Sequence, residues 1–278
     1  MMYGVALSLV PEDFKRILRK PGAPVIGLLA QFLLLPAATC LGTWVFNVDP
    51  ELALGMMLVA ACPGGNFSNI MTWLSKANVA VSVSMTAVSS LAATLLTPLN
   101  FAFYGWLNPY TRQMVTDIAM EPSNILLLVA LVLALPLVLG MLTARLRPLF
   151  AERAQKPMRL GSIVVLFGFV AIAFANNMDV FIENAHRIVA LVVVHNAVAL
   201  TLGAVAGYAI KLPKNDRRAV TMEVGIQNSG LGLVILFTFF PEASGMILIT
   251  AFWGVWHLVS GLTLALIWSR SAEPQHVE

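Results

Sequence analysis

Long apolar stretches separated by short polar ones run through the chain and predict a series of helices that cross a lipid bilayer. A spanning helix needs about 20 predominantly apolar residues. Eight stretches meet or approach this length, at residues 24–46, 52–74, 79–104, 125–146, 160–175, 188–210, 219–240 and 247–269. A shorter apolar stretch at residues 1–10 predicts the end of one further helix.

Charged or polar segments connect these stretches. Residues 11–20 are predicted to be a loop or a short helix at the membrane interface. The basic segment at residues 145–159 and the mixed segment at residues 179–187 are predicted to be loops. Trp106 and Trp268 stand at the ends of apolar stretches, where interfacial aromatic anchors are expected.

Composition supports the same class of protein. The chain of 278 residues is 59% hydrophobic and only 11% charged, against about 25% charged in soluble domains. Its mean hydropathy is +0.83. The pattern therefore predicts an all-α polytopic membrane protein. No pairing of a nucleophile with a base and no phosphate-binding loop is visible, so we expect neither an enzyme nor an ATP-driven pump.

The distribution of lysine and arginine predicts the orientation of the chain. If residues 11–20 lie in the cytoplasm and the eight spans alternate, the cytoplasmic segments hold 15 of the 17 basic residues and the outer segments hold two. Cytoplasmic loops of membrane proteins carry such an excess of positive charge. We therefore expect the inner (plasma) membrane as the location, with a cytoplasmic C-terminus.

Two of the eight spans are interrupted by polar residues. Pro63-Gly64-Gly65 breaks the span at 52–74, and Glu223-Val-Gly-Ile-Gln-Asn-Ser-Gly230 breaks the span at 219–240. Proline and glycine weaken a helix, and backbone groups freed in a membrane must be covered by protein or face a watery cavity. Each broken span is the middle one of three, and the two blocks start from opposite sides. This arrangement predicts an inverted repeat with a binding site where the broken helices meet.

Glu223 is the one carboxylate within the eight spans, and such residues are candidates for function. A structural alternative is pairing with Arg217 or Arg218, which lie less than two helical turns away. Gln227 lies four residues later on the same helix face.

Other polar residues at the breaks also have two interpretations. Ser68 and Asn69 are candidate ligands or serve only to pair freed backbone groups. Ser82 and Thr86 share a helix face, and such hydroxyls often only support packing. All these groups offer oxygen ligands, which suit a hard monovalent cation such as Na⁺. Gln31 and the pair His195-Asn196 are polar residues in the first span of each block, and His257 is a further candidate in the last span.

Four motifs carry a resemblance to a known family. They are Gln31-Phe-Leu-Leu-Leu-Pro36, Ala61-Cys-Pro-Gly-Gly-Asn-Phe-Ser-Asn-Ile-Met-Thr72, Asn78-Val-Ala-Val-Ser-Val-Ser-Met-Thr86 and Glu223-Val-Gly-Ile-Gln-Asn-Ser-Gly-Leu-Gly232. In order and spacing they resemble the bile acid:sodium symporter family, as in its bacterial members. The resemblance implies a core of two inverted three-helix repeats with crossing broken helices, beside a panel domain. It also implies a full helix before Gly4, so the panel is expected to be incomplete through N-terminal truncation or a misassigned start.

The same resemblance assigns domains and site residues. It implies the end of a panel helix and a cytoplasmic loop at 1–20, core repeat 1 at 24–104, panel helices at 124–182, core repeat 2 at 187–270 and a cytoplasmic tail at 271–278. One Na⁺ site would be formed by Ser68, Asn69, Ser82, Thr86 and Glu223. A second would be formed by Gln31, Glu223, Val224, Ile226 and Gln227. Substrate would contact Asn66, Asn228 and His257.

The implied function is sodium-coupled symport of an organic anion by alternating access. Two Na⁺ ions, the anion and the lipid bilayer are the expected partners, with neither nucleic acid nor an obligate protein partner. Relatives often carry Asn at the position of Leu258, and Thr is common at the position of Asn66. These two differences weaken the bile acid interpretation relative to smaller carboxylates such as pantoate or a keto acid. The alternatives are a proton-coupled or efflux carrier of similar fold, and a non-transporting truncated protein or sensor.

Overall fold

The computed structural model describes residues 2–7, 11–118 and 122–270, and these residues form helices. In chain order the helices are α1 (Met2–Ala6), α2 (Pro11–Arg19), α3 (Gly22–Leu29), a π-helical turn (Ala30–Leu34), α4 (Leu35–Val45), α5 (Pro50–Ala61), α6 (Asn66–Leu74), α7 (Val79–Leu107), α8 (Arg112–Ile118), α9 (Pro122–Leu146), α10 (Pro148–Asn176), α11 (Met178–Ala209), α12 (Lys214–Gly225), α13 (Ser229–Phe239) and α14 (Ser244–Arg270). No strand occurs within these described ranges. The predicted tail at 271–278 lies outside them.

Five helical segments are long and apolar enough to cross a membrane, which confirms an all-α polytopic membrane protein. They are Gly22–Val45, Val79–Leu107, Pro148–Asn176, Met178–Ala209 and Ser244–Arg270. The spans at 52–74 and 219–240 were predicted to be broken, and each is indeed two shorter helices, α5 with α6 and α12 with α13. Each block thus has the predicted order of a long, an interrupted and a long helical segment.

Two predicted loops are wrong, because the helices extend through them. α10 begins at Pro148 within the basic segment, and α11 begins at Met178, one residue before the mixed one, and continues through it. Both segments contain alanine, glutamate and arginine, which favour helices. Hydropathy reports where a chain leaves the bilayer, whereas the helical backbone continues beyond that point. At 29 residues α10 is about 43 Å long, against a hydrocarbon core of about 30 Å.

The two broken spans cross at their breaks and are joined there by backbone hydrogen bonds. Gly64 and Gln227 form an isolated antiparallel bridge. The Asn228 N–H donates to the Pro63 carbonyl at 2.8 Å, and the Gly65 N–H donates to the Ile226 carbonyl at 3.4 Å. Backbone groups released by each break are therefore partly paired by the other break.

Side chains from neighbouring helices pair further carbonyl groups at the interruptions. The Thr97 hydroxyl on α7 donates to the carbonyl of Ala61, the last residue of α5, at 2.7 Å. The Asn196 amide on α11 donates to the carbonyl of Gly225, the last residue of α12, at 2.8 Å. Each block thus uses a long helix to complete the C-terminal end of a half-helix.

Gln31 lies in the π-helical turn that joins α3 to α4. Pro36 follows this turn and has no N–H to donate to a carbonyl one turn earlier. The Phe32 carbonyl instead accepts from the Asn100 side chain on α7 at 2.8 Å. The wide turn and its external partner set the position of Gln31 in the protein interior.

Helices α1, α9 and α10 lie beside the two blocks. α1 packs on α9 and α10, while α10 also contacts α13 and α14. α10 therefore reaches the second block next to the crossing. The division into core repeats at 24–104 and 187–270 and a panel at 124–182 stays a prediction.

Candidate functional site

Glu223 lies at the centre of a cluster of oxygen atoms beside the crossing. Its side chain is 0% exposed. The hydroxyls of Ser68 and Ser82 donate to its Oε2 at 2.5 and 3.0 Å, and the Thr86 hydroxyl donates to its Oε1 at 2.6 Å. The Asn69 Oδ1 adjoins the cluster, at 2.7 Å from the Ser82 hydroxyl and 3.3 Å from that of Thr86. The structure therefore brings together all five residues predicted for the first Na⁺ site.

The cluster contains more acceptor oxygens than protons. Each hydroxyl carries one proton, so Ser68, Ser82 and Thr86 supply three. These hydroxyls nevertheless make seven contacts with acceptor oxygens, at 2.5 to 3.3 Å. Several oxygen pairs are consequently in close contact with no proton between them. A small cation coordinated by these oxygens would offset their repulsion, which is the chemistry of a Na⁺ site.

No basic residue pairs with Glu223 among the described residues, so the ion-pair alternative is not found. Arg217 stacks on the Tyr208 ring at 4.8 Å, and Arg218 stacks on the Trp268 ring at 5.1 Å. A buried ionised carboxylate is costly unless it is paired or binds a metal. The three hydroxyls supply hydrogen bonds but no positive charge.

Gly64 allows the first break to approach this carboxylate. A Cβ atom built at Gly64 would lie 2.1 Å from the Glu223 Oε1 and 2.7 Å from its Cδ. The position therefore has room only for a glycine. Thr72, which was not predicted as a ligand, adds another buried hydroxyl at 3.3 Å from that of Ser82.

Gln31 and Gln227 form a second polar group near the crossing, and both side chains are buried. The Gln31 Nε2 donates to the Gln227 Oε1 at 3.2 Å, and the Gln227 Nε2 donates to the Val224 carbonyl at 2.7 Å. The Gln31 Oε1 has no donor among the described residues. A buried oxygen without a donor fits a cation ligand.

The remaining members predicted for the second Na⁺ site are connected more loosely. The Ile226 carbonyl accepts from the Gly65 N–H. No hydrogen bond within the described ranges joins Glu223 to Gln31 or Gln227. The structure thus connects Gln31, Gln227 and Val224, while Glu223 makes its hydrogen bonds in the first cluster.

The structure places the polar residues His195 and Asn196 in packing roles. The His195 Nδ1 accepts from the Trp253 indole N–H at 3.2 Å, and its Nε2 lies 2.8 Å from the Thr39 hydroxyl. Since Nδ1 accepts, the neutral ring carries its proton on Nε2. Asn196 accepts from the Ser260 hydroxyl while it donates to Gly225. These contacts connect α4, α11, α12 and α14.

A narrow cleft at the crossing contains all three predicted substrate residues. It encloses about 30 Å³, which is room for one or two water molecules. Its lining residues are Gly65, Asn66, Phe67, Ser162, Leu166, Gln227, Asn228, Ser229, Gly230 and His257. Ser162 and Leu166 belong to α10 and were not predicted from sequence, because nothing in the chain indicated which face of α10 meets the crossing.

Polar atoms without partners face this cleft. Among the described residues, neither His257 ring nitrogen nor the Ser229 hydroxyl has a hydrogen-bond partner, although both side chains are about 1% exposed. The His257 ring instead contacts aromatic side chains, with its centroid 5.1 Å from that of Trp253 and 6.4 Å from that of Phe67. Buried polar groups usually have hydrogen-bond partners. Two side chains without such partners at a cleft therefore favour ligand binding.

Two half-helices begin at the cleft. α6 starts after Gly65, which supplies no side-chain cap, and α13 starts after Asn228, whose side chain accepts from the Leu231 N–H. Helix N-termini carry unpaired N–H groups and partial positive charge, so they favour anions. No lysine or arginine is among the described lining residues. An anion bound here would be held by helix termini and neutral donors.

Comparison with known proteins identifies the family. The sequence profile of the sodium bile acid symporter family matches residues 1–184. The chain belongs to this family. The matched range contains the first three of the four motifs from which the resemblance was inferred, and the fourth, at Glu223–Gly232, lies beyond it.

Individual relatives match between 81% and 99% of the chain. The uncharacterized sodium-dependent transporter YocS of Bacillus subtilis is 30% identical over 98% of this chain and 82% of its own length. The probable chloroplastic sodium/metabolite cotransporter BASS1 of Arabidopsis thaliana is 29% identical over 99% of this chain. The P3 protein of mouse is 33% identical over 81% of this chain. The chain spans 66% of the Arabidopsis protein and 46% of the mouse protein.

Proposed function

We propose that this protein is a sodium-coupled symporter of a small organic anion and works by alternating access. The observation that carries the proposal is the Glu223 cluster, in which a buried carboxylate and proton-poor oxygens meet with no basic partner among the described residues. Na⁺ in this cluster would connect α6, α7 and α12, since each supplies an oxygen to it. The Bacillus subtilis relative is named a sodium-dependent transporter, and the Arabidopsis thaliana relative is named a probable sodium/metabolite cotransporter. Both names support the same function.

A second Na⁺ is proposed at Gln31 and Gln227. The Gln31 oxygen without a donor supports this site. The Val224 and Ile226 carbonyls are close along the chain, and Glu223 is the proposed bridge between the two ions. Sodium at the crossing would order both breaks and so prepare the cleft for substrate, and the substrate would favour sodium equally by linkage.

The proposed substrate is a monoanionic carboxylate smaller than a bile acid. Its carboxylate would lie at the N-termini of α6 and α13, and its polar groups would contact Asn66, Asn228 and His257. The small enclosed volume of the cleft implies that α10 must move away from the crossing for substrate to enter. Such a movement of the second block against α10 is what alternating access requires.

The excess of basic residues supports an orientation with α2 and the start of α12 in the cytoplasm. In a bacterium this corresponds to the inner membrane. Transport needs no enzymatic step, so we assign no catalytic residue. We propose no obligate protein partner and no role for nucleic acid.

Uptake into proteoliposomes tests the proposed function. Radiolabelled pantoate, pyruvate and taurocholate would be supplied with an inward gradient of Na⁺ or, as the control, of K⁺. We expect Na⁺-dependent uptake of one of the two small carboxylates. Uptake that follows a pH gradient and ignores Na⁺ would favour the proton-coupled alternative. Sodium binding without flux of any anion would favour the sensor alternative.

A further inference from the structure

A basic pocket lies between α11, α12 and α14, on the side of the protein that the proposed orientation places in the cytoplasm. Its volume is about 250 Å³. It is lined by Ala204, Lys214, Arg217, Arg218, Thr221 and Trp268. Half of these described lining residues are cationic and none is acidic. A concave site of this charge favours an anion.

Aromatic and backbone contacts fix the two guanidinium groups of the pocket. Arg217 stacks on Tyr208, and Arg218 stacks on Trp268 while its Nη1 donates to the Trp268 carbonyl at 3.3 Å. The stem of Arg217 packs on Gly207, where an added Cβ would lie 3.0 Å from the Arg217 Cγ. Guanidinium groups fixed in this way can bind an oxyanion with little loss of side-chain entropy.

The charges at this end of α12 oppose the helix dipole. Lys214, Arg217 and Arg218 lie within the first five residues of the helix, where the backbone already contributes partial positive charge. Asp216 is the acidic residue of this turn, and its carboxylate accepts from the Asn78 side chain at 2.7 Å. An anion in the pocket would therefore be attracted by these cationic side chains and by the helix terminus.

The surroundings of the pocket indicate that this anion belongs to a lipid. Apolar side chains on α11 and α14 beside it are exposed, with Val205 58%, Tyr208 69% and Ile267 58% exposed. In a membrane protein such a surface faces acyl chains, and Tyr208 and Trp268 are residues typical of the headgroup level. If the headgroup phosphate of a lipid occupied the pocket, the acyl chains of that lipid would lie along this surface.

We propose that the pocket binds the headgroup phosphate of an anionic phospholipid of the cytoplasmic leaflet. The bound phosphate stabilises the start of α12, the half-helix that carries Glu223 five residues after Arg218. Basic pockets between helices on this side of a membrane suit lipid phosphates. The inference rests on the proposed orientation and is independent of sodium transport.

Lipid titration followed by native mass spectrometry tests the site. The purified protein in detergent would be titrated with short-chain phosphatidylglycerol and, separately, with phosphatidylcholine and inorganic phosphate. Lys214→Gln with Arg217→Gln removes two charges of the pocket, and Arg153→Gln with Lys156→Gln removes two exposed charges on α10. Each pocket charge is expected to contribute about fivefold to phosphatidylglycerol affinity.

The outcomes separate a lipid site from general electrostatics. We expect the pocket pair to lose about 25-fold in affinity and the α10 pair to change little, with both variants folded in the absence of lipid. An equal loss in both pairs would overturn the site. If inorganic phosphate bound the protein as tightly as phosphatidylglycerol does, the lipid assignment would be overturned.

Discussion

Among the described residues the carboxylate of Glu223 has no basic partner, and the three hydroxyl protons of Ser68, Ser82 and Thr86 must serve many acceptor oxygens. Serine and threonine can rotate their protons to suit a ligand. When a cation binds, the same oxygens can turn their lone pairs toward it. The residue types present thus allow the cluster to exist with and without Na⁺, which a transporter must do in each cycle.

Thr86→Val tests the contribution of one hydroxyl to sodium binding. The change keeps the shape of the side chain but removes the contacts to Glu223 and Asn69. Hydrogen bonds to charged groups contribute about 1.5–3 kcal/mol, so we expect at least a tenfold higher Na⁺ concentration for half-maximal thermal stabilisation. Ser84→Ala is the matched control, because the Ser84 hydroxyl donates only to the Ala80 carbonyl of its own helix. An unchanged Na⁺ requirement in Thr86→Val would remove Thr86 from the site.

Much of this cluster could be predicted from sequence. A carboxylate within a span, hydroxyls four residues apart and a proline-glycine break all predict a cation site at the crossing. Gly64 and Thr72 could not be predicted as parts of the site, because their roles depend on distances between different segments of the folded chain. His257 has no hydrogen-bond partner among the described residues, which could not be predicted either, since a lone histidine in a span normally finds one.

At the scale of elements, each interrupted span depends on a neighbouring long helix. Thr97 on α7 pairs the end of α5, and Asn196 on α11 pairs the end of α12. The sequence predicted both interruptions but not these partners. Its predicted loops at 145–159 and 179–187 were wrong, because hydropathy marks the bilayer boundary and not the end of a helix.

Thr97→Val tests this dependence by leaving the Ala61 carbonyl without its side-chain donor. An unpaired buried carbonyl costs about 1–3 kcal/mol, so thermal unfolding in detergent is expected at a lower temperature. Thr94→Val is the control, since the Thr94 hydroxyl donates to the Leu91 carbonyl of the same helix. Equal melting of the two variants would show that the Ala61 carbonyl does not need Thr97.

At the scale of the whole molecule, the proposed sodium ligands and the cleft share the same two breaks. α6 and α12 carry ligands of the Glu223 cluster, while the residues at the starts of α6 and α13 line the cleft. Ordering the crossing with Na⁺ therefore also positions the proposed anion site. Motion of α10 against the crossing would then change access to the cleft.

Coupling to two Na⁺ ions predicts electrogenic transport. Two cations moving with one monoanion carry one net positive charge, so an inside-negative potential set by valinomycin and K⁺ should increase Na⁺-dependent uptake. The control is the same liposome preparation without valinomycin. Uptake that is insensitive to potential would indicate one Na⁺ for each anion and would contradict the second site at Gln31 and Gln227.

Equilibrium binding of ²²Na⁺ to the purified protein tests the central claim most directly. Glu223→Gln keeps the size of the side chain and removes its charge, while Glu242→Gln removes an acidic residue from the turn after α13 as the control. The account predicts saturable binding in the wild type and in Glu242→Gln, and loss of binding in Glu223→Gln. Undiminished ²²Na⁺ binding by folded Glu223→Gln protein would contradict the assignment of this carboxylate as the sodium ligand.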